Sequence, residues 1–376
     1  MNGIGENSRL TRRLLAATLG PEVCTTQLGR VDQTEDSEEG SVWMKGKDSK
    51  MPINLAHRWG MVLAGGDGVR LRPLTRFICG DERPKQFCPL LGDSSLLQQA
   101  RQRAERSICP NQILYSVVKA HRDYYIHDLA DRIPQTVVQP RNRGTGPAIV
   151  APLLRILQMD PNAIIAVLPS DHYYSAESVF TYSFERAFAI AEGRKGSVVL
   201  LGARPRTPEV EYGWIALGEP VASHRTDVFR VSQFHEKPPL QVAERLLREG
   251  CLWNTFVMVG HIKAFLDLAL AAVPGLLQAL RPVRDLVGSD GETRIAESVY
   301  DKIATTDFCR HVLSPKARSL VTLQLGAVEW NDLGHPDRVV STLLGSDLKL
   351  PGWVRRWHCE TQSGPPADRS RWMASA

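Results

Sequence analysis

Residues 60–75 read Gly60-Met61-Val62-Leu63-Ala64-Gly65-Gly66-Asp67-Gly68-Val69-Arg70-Leu71-Arg72-Pro73-Leu74-Thr75. The first five make a short apolar run of the kind found in a strand buried on both faces. Glycines follow at once at 65, 66 and 68. After a buried strand, glycines let the backbone approach an anion with no Cβ in the way, and successive N–H groups form an anion-binding nest. A dinucleotide fingerprint needs a third glycine where Leu71 stands, and a P-loop needs Gly-Lys-Ser/Thr, so neither pattern fits. A bare glycine cluster is equally readable as a tight turn. The neighbouring cations tip the balance: Arg70 and Arg72 lie in the loop, and Arg83-Pro84-Lys85-Gln86-Phe87 follows. Arginine clamps phosphate oxygens in pairs and lysine supplies a compact charge, so the segment reads as a phosphate site.

Working outward, similar apolar runs recur at 112–118, 136–139, 164–168 and 198–201, with helix-period segments between them. One helix is expected to start near Ser94. Another starts near Thr145, whose hydroxyl can cap it, with Ile149, Val150, Leu153, Leu154 and Leu157 on one face and a kink at Pro152. Strands alternating with helices predict an α/β fold with a mostly parallel sheet, right-handed crossovers and ligands at the carboxyl ends of the strands. From about Tyr212 the texture becomes β-rich, with strands around 212–217, 228–231 and 253–259 and an amphipathic helix at 242–248. A helical stretch over 262–303, a strand at 320–323 and a helix after His335 complete the pattern. The expected organisation is a mobile extension over 1–56, one catalytic domain over 57–345 and a frayed tail over 346–376. Trp353-Val354-Arg355-Arg356-Trp357 reads as a packed end or a solvated tail rather than an anchor for a partner or a membrane surface.

Composition narrows the function classes. With 43% apolar and 23% charged residues among 376, the chain is an ordinary globular one, and disorder, collagen and coiled coil are excluded. The charge of +5 is too diffuse to indicate nucleic acid. Seven scattered cysteines form no CxxC, which points away from a disulfide framework or zinc and toward a reducing cytoplasm. No stretch approaches the roughly 18 apolar residues that span a bilayer. The Arg12-Arg13-Leu14-Leu15 echo of an export signal is broken by Gly20, Pro21 and Glu22.

The glycine loop with Pro84-Lys85-Gln86-Phe87 resembles the signature of the sugar-phosphate nucleotidyltransferases, and within them the mannose-1-phosphate guanylyltransferases. Matching segments follow in order: 139–148 (Gln-Pro-Arg-Asn-Arg-Gly-Thr-Gly-Pro-Ala), Pro169-Ser170-Asp171-His172, Glu211-Tyr212-Gly213-Trp214, Phe234-His235-Glu236-Lys237-Pro238, Leu252-Trp253-Asn254 and Trp330-Asn331-Asp332-Leu333-Gly334. The resemblance covers about residues 60–345. It implies a Rossmann-like (GT-A-like) fold with a smaller, β-rich sugar-binding portion, and Mg²⁺-dependent transfer from GTP to mannose 1-phosphate, giving GDP-mannose and pyrophosphate. Arg70 and Lys85 would be catalytic. Leu63, Ala64, Gly65, Gly66, Gly68, Gln139, Arg143 and Thr145 would hold the nucleotide, Lys237 the sugar phosphate, and Glu211, Gly213 and Asn254 the sugar hydroxyls. Asp171 and Asp332 would hold Mg²⁺.

The residues themselves agree with that assignment. Asp171 closes a strand, where a carboxylate either caps the backbone or offers a hard oxygen ligand, and Mg²⁺ typically takes one or two carboxylates plus substrate phosphates. His172 reads as a packed neighbour, since Mg²⁺ prefers oxygen. A sugar 1-phosphate is mostly dianionic at neutral pH, its second pKa being about 6, so it attacks the α-phosphorus without a general base. Positioning and charge neutralisation then supply the rate.

Departures leave alternatives open. Val69 stands where the family usually has a small hydroxyl residue, Gln139 replaces a Glu, Gly144 and Gly146 replace Asn and Ala, and Thr255-Phe256 replaces a small pair. A uridylyl- or thymidylyltransferase acting on glucose 1-phosphate is therefore the alternative substrate reading. A non-catalytic sugar-nucleotide-binding regulatory subunit is the alternative class; its expected mark, loss of one of Arg70, Lys85, Asp171 and Asp332, is absent. The expected partners are GTP or another nucleoside triphosphate and a sugar 1-phosphate, without nucleic acid or membrane. A homo-oligomer is left open, and no second catalytic domain is expected after residue 345.

Overall fold

A computed structural model describes residues 55–222, 225–285 and 291–363. The expected extension lies outside the described residues up to 54, as does the closing stretch from 364. The deciding segment begins with β1 (Arg58–Leu63), nearly all buried, and continues into α1 (Arg72–Cys79). Next come α2 (Leu96–Glu105), β2 (Ile113–Val118), α3 (Arg122–Asp128), β3 (Thr136–Gln139) and α4 (Thr145–Met159). Then follow β4 (Ile164–Pro169), β5 (Tyr173–Tyr174), α5 (Glu177–Gly193) and β6 (Val198–Ala203). The β-rich part holds β7 (Gly213–Ala222), β8 (Arg225–Glu236), α6 (Leu240–Arg248) and β9 (Leu252–His261).

β1 sits between β2 and β4, parallel to both, with Val62 level with Tyr115 on one side and Leu168 on the other. The chain therefore crosses to opposite sides of β1, and the crevice at that reversal lies outside the carboxyl ends of β1 and β4. The nine-stranded sheet runs β3-β2-β1-β4-β9-β6-β10-β8-β7, where β10 is Leu320–Gln324. The expected parallel set is present, but β9 inserts antiparallel between β4 and β6, and β7 and β8 pair antiparallel at the far edge. Phe180, Phe184 and Phe188 of α5 are buried on one face of the sheet, and Ile149 and Leu153 of α4 belong to a separate core with Met61 and Ile165. Each such side chain contributes about 1.5–3 kcal/mol on burial.

Local chemistry sets the helix ends. α2 starts one residue later than expected, because Ser95 Oγ accepts from the Gln98 N–H at 3.1 Å while Gln98 Oε1 accepts from the Ser95 N–H at 3.1 Å. α4 runs through the buried Pro152 as one element. The stretch expected as helical over 262–303 is instead α7 (Ile262–Ala272), α8 (Pro274–Asp285) and α9 (Glu292–Lys302). Pro274 forces the first break, since the residue before proline is driven out of the helical region and Val273 has φ −136° and ψ 54°.

After β11 (Trp330–Asn331) come α10 (Pro336–Leu344) and α11 (Gly352–Ser363). The segment expected as a tail over 346–376 thus contains a packed helix: Trp353 and Val354 are buried against a cluster that includes Leu74 and Leu333. No helix among the described residues is long and apolar enough to cross a membrane.

Candidate active site

A cavity of about 400 Å³ opens at the carboxyl ends of β1 and β4. Leu63, Gly65, Gly66 and Arg70 line it from the loop after β1. That loop is fixed from behind. The buried Gln86 side chain donates to the Ala64 carbonyl at 3.1 Å and to the Gly66 carbonyl at 2.8 Å, a role the sequence pattern did not reveal. Gly68 has φ 58°, and a Cβ added there would come within 3.0 Å of the Lys85 nitrogen. Glycine is thus what lets the loop lie against the turn that carries Lys85. Val69, where a hydroxyl was expected, is 61% exposed and leaves no buried donor missing.

The two predicted metal-binding aspartates meet across a ribbon too short to show any periodicity. β5 and β11 pair antiparallel, with Trp330 level with Tyr174 and Asn331 with Tyr173, and both Asp171 and Asp332 line the cavity. Lys85 sits just behind the lining and ties the two together. Its Nζ lies 3.2 Å from Asp171 Oδ2 and donates to the main-chain carbonyls of Asp332 and, at 3.3 Å, Leu333. Asp332 Oδ1 accepts from the Tyr212 hydroxyl at 3.0 Å, the Gly334 N–H at 2.9 Å and Arg338 Nη1 at 2.7 Å. Burial by itself would raise this carboxyl, but the Lys85 and Arg338 cations outweigh it and hold it at about 2. His172 is a packed neighbour, as expected: its Nδ1 accepts from Trp330 Nε1 at 3.2 Å, and burial lowers it to about 4, so the ring is neutral. Arg338 was not foreseen, because it stands outside every recognisable motif.

Glu211, Gly213, Lys237 and Asn254 also line the cavity. Glu211 forms an ion pair with Arg70 of the loop after β1. A Cβ on Gly213 would come within 2.9 Å of Glu236 Oε2, so glycine makes room for that carboxylate. The carboxylates of Glu236 and Asp307 and the Cys309 thiol come within 4.8 Å of one another. Burial, and then the charge of Asp307, push Glu236 up to about 7. Burial also raises the Cys309 thiol, to which Asn254 Nδ2 donates at 3.5 Å. Asp307 and Cys309 were not foreseen: Asp307 lies in the loop after α9, and Cys309 opens a single π-helical turn, Cys309–Leu313, too short to show a period.

Gln139, where a nucleotide contact was expected, is 1% exposed and its Nε2 donates to Ser116 Oγ at 3.3 Å, while its Oε1 has no partner. One expectation, the capping role of Thr145, is corrected here. Arg143 does not line the cavity: it donates to the carbonyls of Tyr300 at 2.8 Å and Asp301 at 3.3 Å, satisfying acceptors at the end of α9. Thr145 lines the cavity but does not cap α4. Its Oγ1 accepts from the Phe308 N–H at 2.7 Å, and the N-cap is Gly144, which has no side chain to offer. The Gly146 N–H is taken by the Thr306 carbonyl at 2.7 Å, so that amide of the helix end is already satisfied. The same packing accounts for both unexpected glycines, because a Cβ on Gly144 would meet Thr306 O at 2.6 Å and one on Gly146 would meet Thr306 Cγ2 at 2.7 Å.

Cations flanking a glycine loop, two converging carboxylates and further polar lining residues form a setting for phosphate chemistry. Known proteins agree with it. The chain is 28% identical over 282 residues to the xanthan biosynthesis protein XanB of Xanthomonas campestris pv. campestris, covering 73% of this chain and 57% of that one. It is 30% identical over 239 residues to the mannose-1-phosphate guanylyltransferase of Escherichia coli K12, covering 61% and 48%. The chain thus spans about half the length of these curated relatives. Among solved structures, mannose-1-phosphate geranyltransferase from Thermus thermophilus superposes with a TM-score of 0.66 at 28% identity, covering 77% of this chain and 80% of that one. The Nucleotidyl transferase family model matches residues 59–343, nearly the whole span from β1 to α10, and the chain belongs to that family.

Proposed function

We propose that the chain catalyses Mg²⁺-dependent transfer of GMP from GTP to mannose 1-phosphate, releasing pyrophosphate and forming GDP-mannose. The observation that carries this reading is the meeting of Asp171, Asp332 and Arg70 around one cavity, with Lys85 in contact with both acidic segments. A phosphate oxygen of the sugar phosphate attacks the α-phosphorus, and the bond from that phosphorus to the pyrophosphate oxygen breaks. The attacking oxygen is already anionic, so no side chain has to remove a proton. The protein instead holds two crowded anions in line and neutralises them.

In this reading Arg70 exchanges its Glu211 partner for phosphate oxygens, and Lys237 meets the sugar phosphate. Glu211, Gly213 and Asn254 surround the sugar. The donor set fits a hard cation, since Asp332 stays ionised and its Oδ1 is already occupied by three donors, which turns Oδ2 to the task. Asp171 and Asp332 would hold Mg²⁺, which supplies Lewis-acid neutralisation of phosphate charge.

The base reading rests on Gln139. An unpartnered, buried Oε1 favours a base that presents an N–H, as guanine does with N1–H and its amino group. A uracil or thymine N3–H satisfies the same single acceptor, which favours transfer to glucose 1-phosphate as the second reading. The relatives named for mannose 1-phosphate support the first. Pyrophosphate release measured across four nucleoside triphosphates and several sugar 1-phosphates decides between them. With Gln139→Leu, the KM for GTP should rise about tenfold while the KM for mannose 1-phosphate stays level, as expected for the loss of one buried hydrogen bond. No turnover with any pair would overturn the enzyme reading.

A further inference from the structure

We propose that Phe256 selects the sugar: its ring forms an aromatic wall of the sugar subsite, stacks on a C–H face of the pyranose and excludes ring substituents larger than hydroxyl. This rests on the sugar-phosphate reading above and adds to it the class of sugar admitted. Phe256 has φ 60°, a conformation that a bulky aromatic residue adopts only where its surroundings impose it.

Those surroundings are on the strand itself. Leu200 of β6 pairs with Met258 of β9, but Gly202 pairs with Asn254, so β9 advances four residues where β6 advances two. Asn254 Oδ1 accepts from the Phe256 N–H at 3.2 Å, and the buried Thr255 hydroxyl donates to the Leu201 carbonyl at 2.7 Å. Extra residues of this kind re-aim a side chain beside a site.

The re-aimed ring is half-buried. It packs against the apolar core that holds Met258 and Phe234, and it also lines the cavity. Its neighbours around the cavity, Asn254, Lys237 and Glu236, are polar. A pyranose is complementary to such a pair of walls: polar groups read its hydroxyls, and an aromatic face covers its C–H face. A glycine at this position would adopt the same backbone without strain, so the side chain is kept here at a backbone cost.

The test compares Phe256→Gly and Phe256→Leu with the natural protein on GTP paired with mannose 1-phosphate or with 2-acetamido-hexose 1-phosphates. Phe256→Gly should raise the KM for mannose 1-phosphate about tenfold and leave the KM for GTP within about twofold. Relative kcat/KM for the acetamido sugars should rise about tenfold, the scale on which pocket size discriminates. Phe256→Leu, which keeps bulk without the π face, should raise the KM for mannose 1-phosphate and still exclude the acetamido sugars. It carries the test if the glycine variant does not fold. Unchanged sugar KM and selectivity in a folded variant would overturn the assignment of Phe256 alone. Absence of turnover by the natural protein on every sugar 1-phosphate would instead overturn the underlying reaction.

Discussion

The Lys85 ammonium stands 3.2 Å from the Asp171 carboxylate and, through the carbonyls of Asp332 and Leu333, also holds the second acidic segment. One side chain from the turn after the glycine loop therefore fixes two acidic segments that lie far apart in the sequence. Lys85→Ala should lower the rate of pyrophosphate release about 10²- to 10³-fold, the scale for removing one preorganised donor from developing phosphate charge. Asp171→Asn should also abolish turnover. Far-UV circular dichroism should remain native in both. Full activity in both variants would refute the assignment.

Arg338 makes a different kind of prediction, because it stabilises carboxylates and has no assigned contact with substrate. Its guanidinium reaches Asp332 at 2.7 Å and Glu209 at 2.9 Å and lies 4.9 Å over the Tyr212 ring. Replacing it with methionine strips Glu209 of this ion pair and leaves Asp332 with the Lys85 charge alone. The expected loss is about 2–4 kcal/mol, since breaking a buried pair strands its partner. Urea denaturation measures it directly; a midpoint shift worth less than about 0.5 kcal/mol would show that water replaces the guanidinium.

These two residues also show what the sequence makes legible. Lys85 sits in a compact motif whose residue types announce phosphate, and the strand that leads to it has a local apolar pattern, so both are readable from one window. Asp171 and Asp332 were each readable as carboxylates after strand-like segments, but their meeting depends on the β5–β11 ribbon, where two residues per strand leave no period to detect. Arg338 stands six residues past Asp332 but outside any motif, and Asp307 and Cys309 reach the site through long-range packing. Thr145 was misread for a related reason: local capping assigned its role, whereas the Phe308 N–H took its hydroxyl. Tertiary partners override a local preference of a few tenths to about 1 kcal/mol whenever they satisfy more buried groups.

That intrusion of Thr306 has its own consequence. Gly144→Ala places a Cβ 2.6 Å from the Thr306 carbonyl at a backbone φ of 82° and should cost about 1–3 kcal/mol of stability. Gly66→Ala meets nothing within 4 Å and should change stability by less than about 0.5 kcal/mol. Gly66 lines the cavity, so under the proposed reaction the KM for the nucleoside triphosphate should rise. Equal thermal midpoints for the two variants would show that the Thr306 segment yields freely.

Glu236 carries the pH dependence. Burial and the neighbouring Asp307 push it up to about 7, against about 4.3 for an unperturbed glutamate. A raised carboxyl binds its proton more tightly in the folded state than in the unfolded one. Between about pH 4 and pH 7 the folded chain therefore holds the extra proton, and this contribution to stability declines as the pH rises through that window. Below it both states are protonated, and above it both are ionised, so the dependence flattens on each side. Glu236→Gln keeps the shape and removes the titration. Urea midpoints of the natural protein and this variant, taken at pH 5, 6, 7 and 8, should diverge in favour of the variant up to pH 7 and then run level. A constant difference across the series would mean that water reaches the carboxylate and that Asp307 does not act on it.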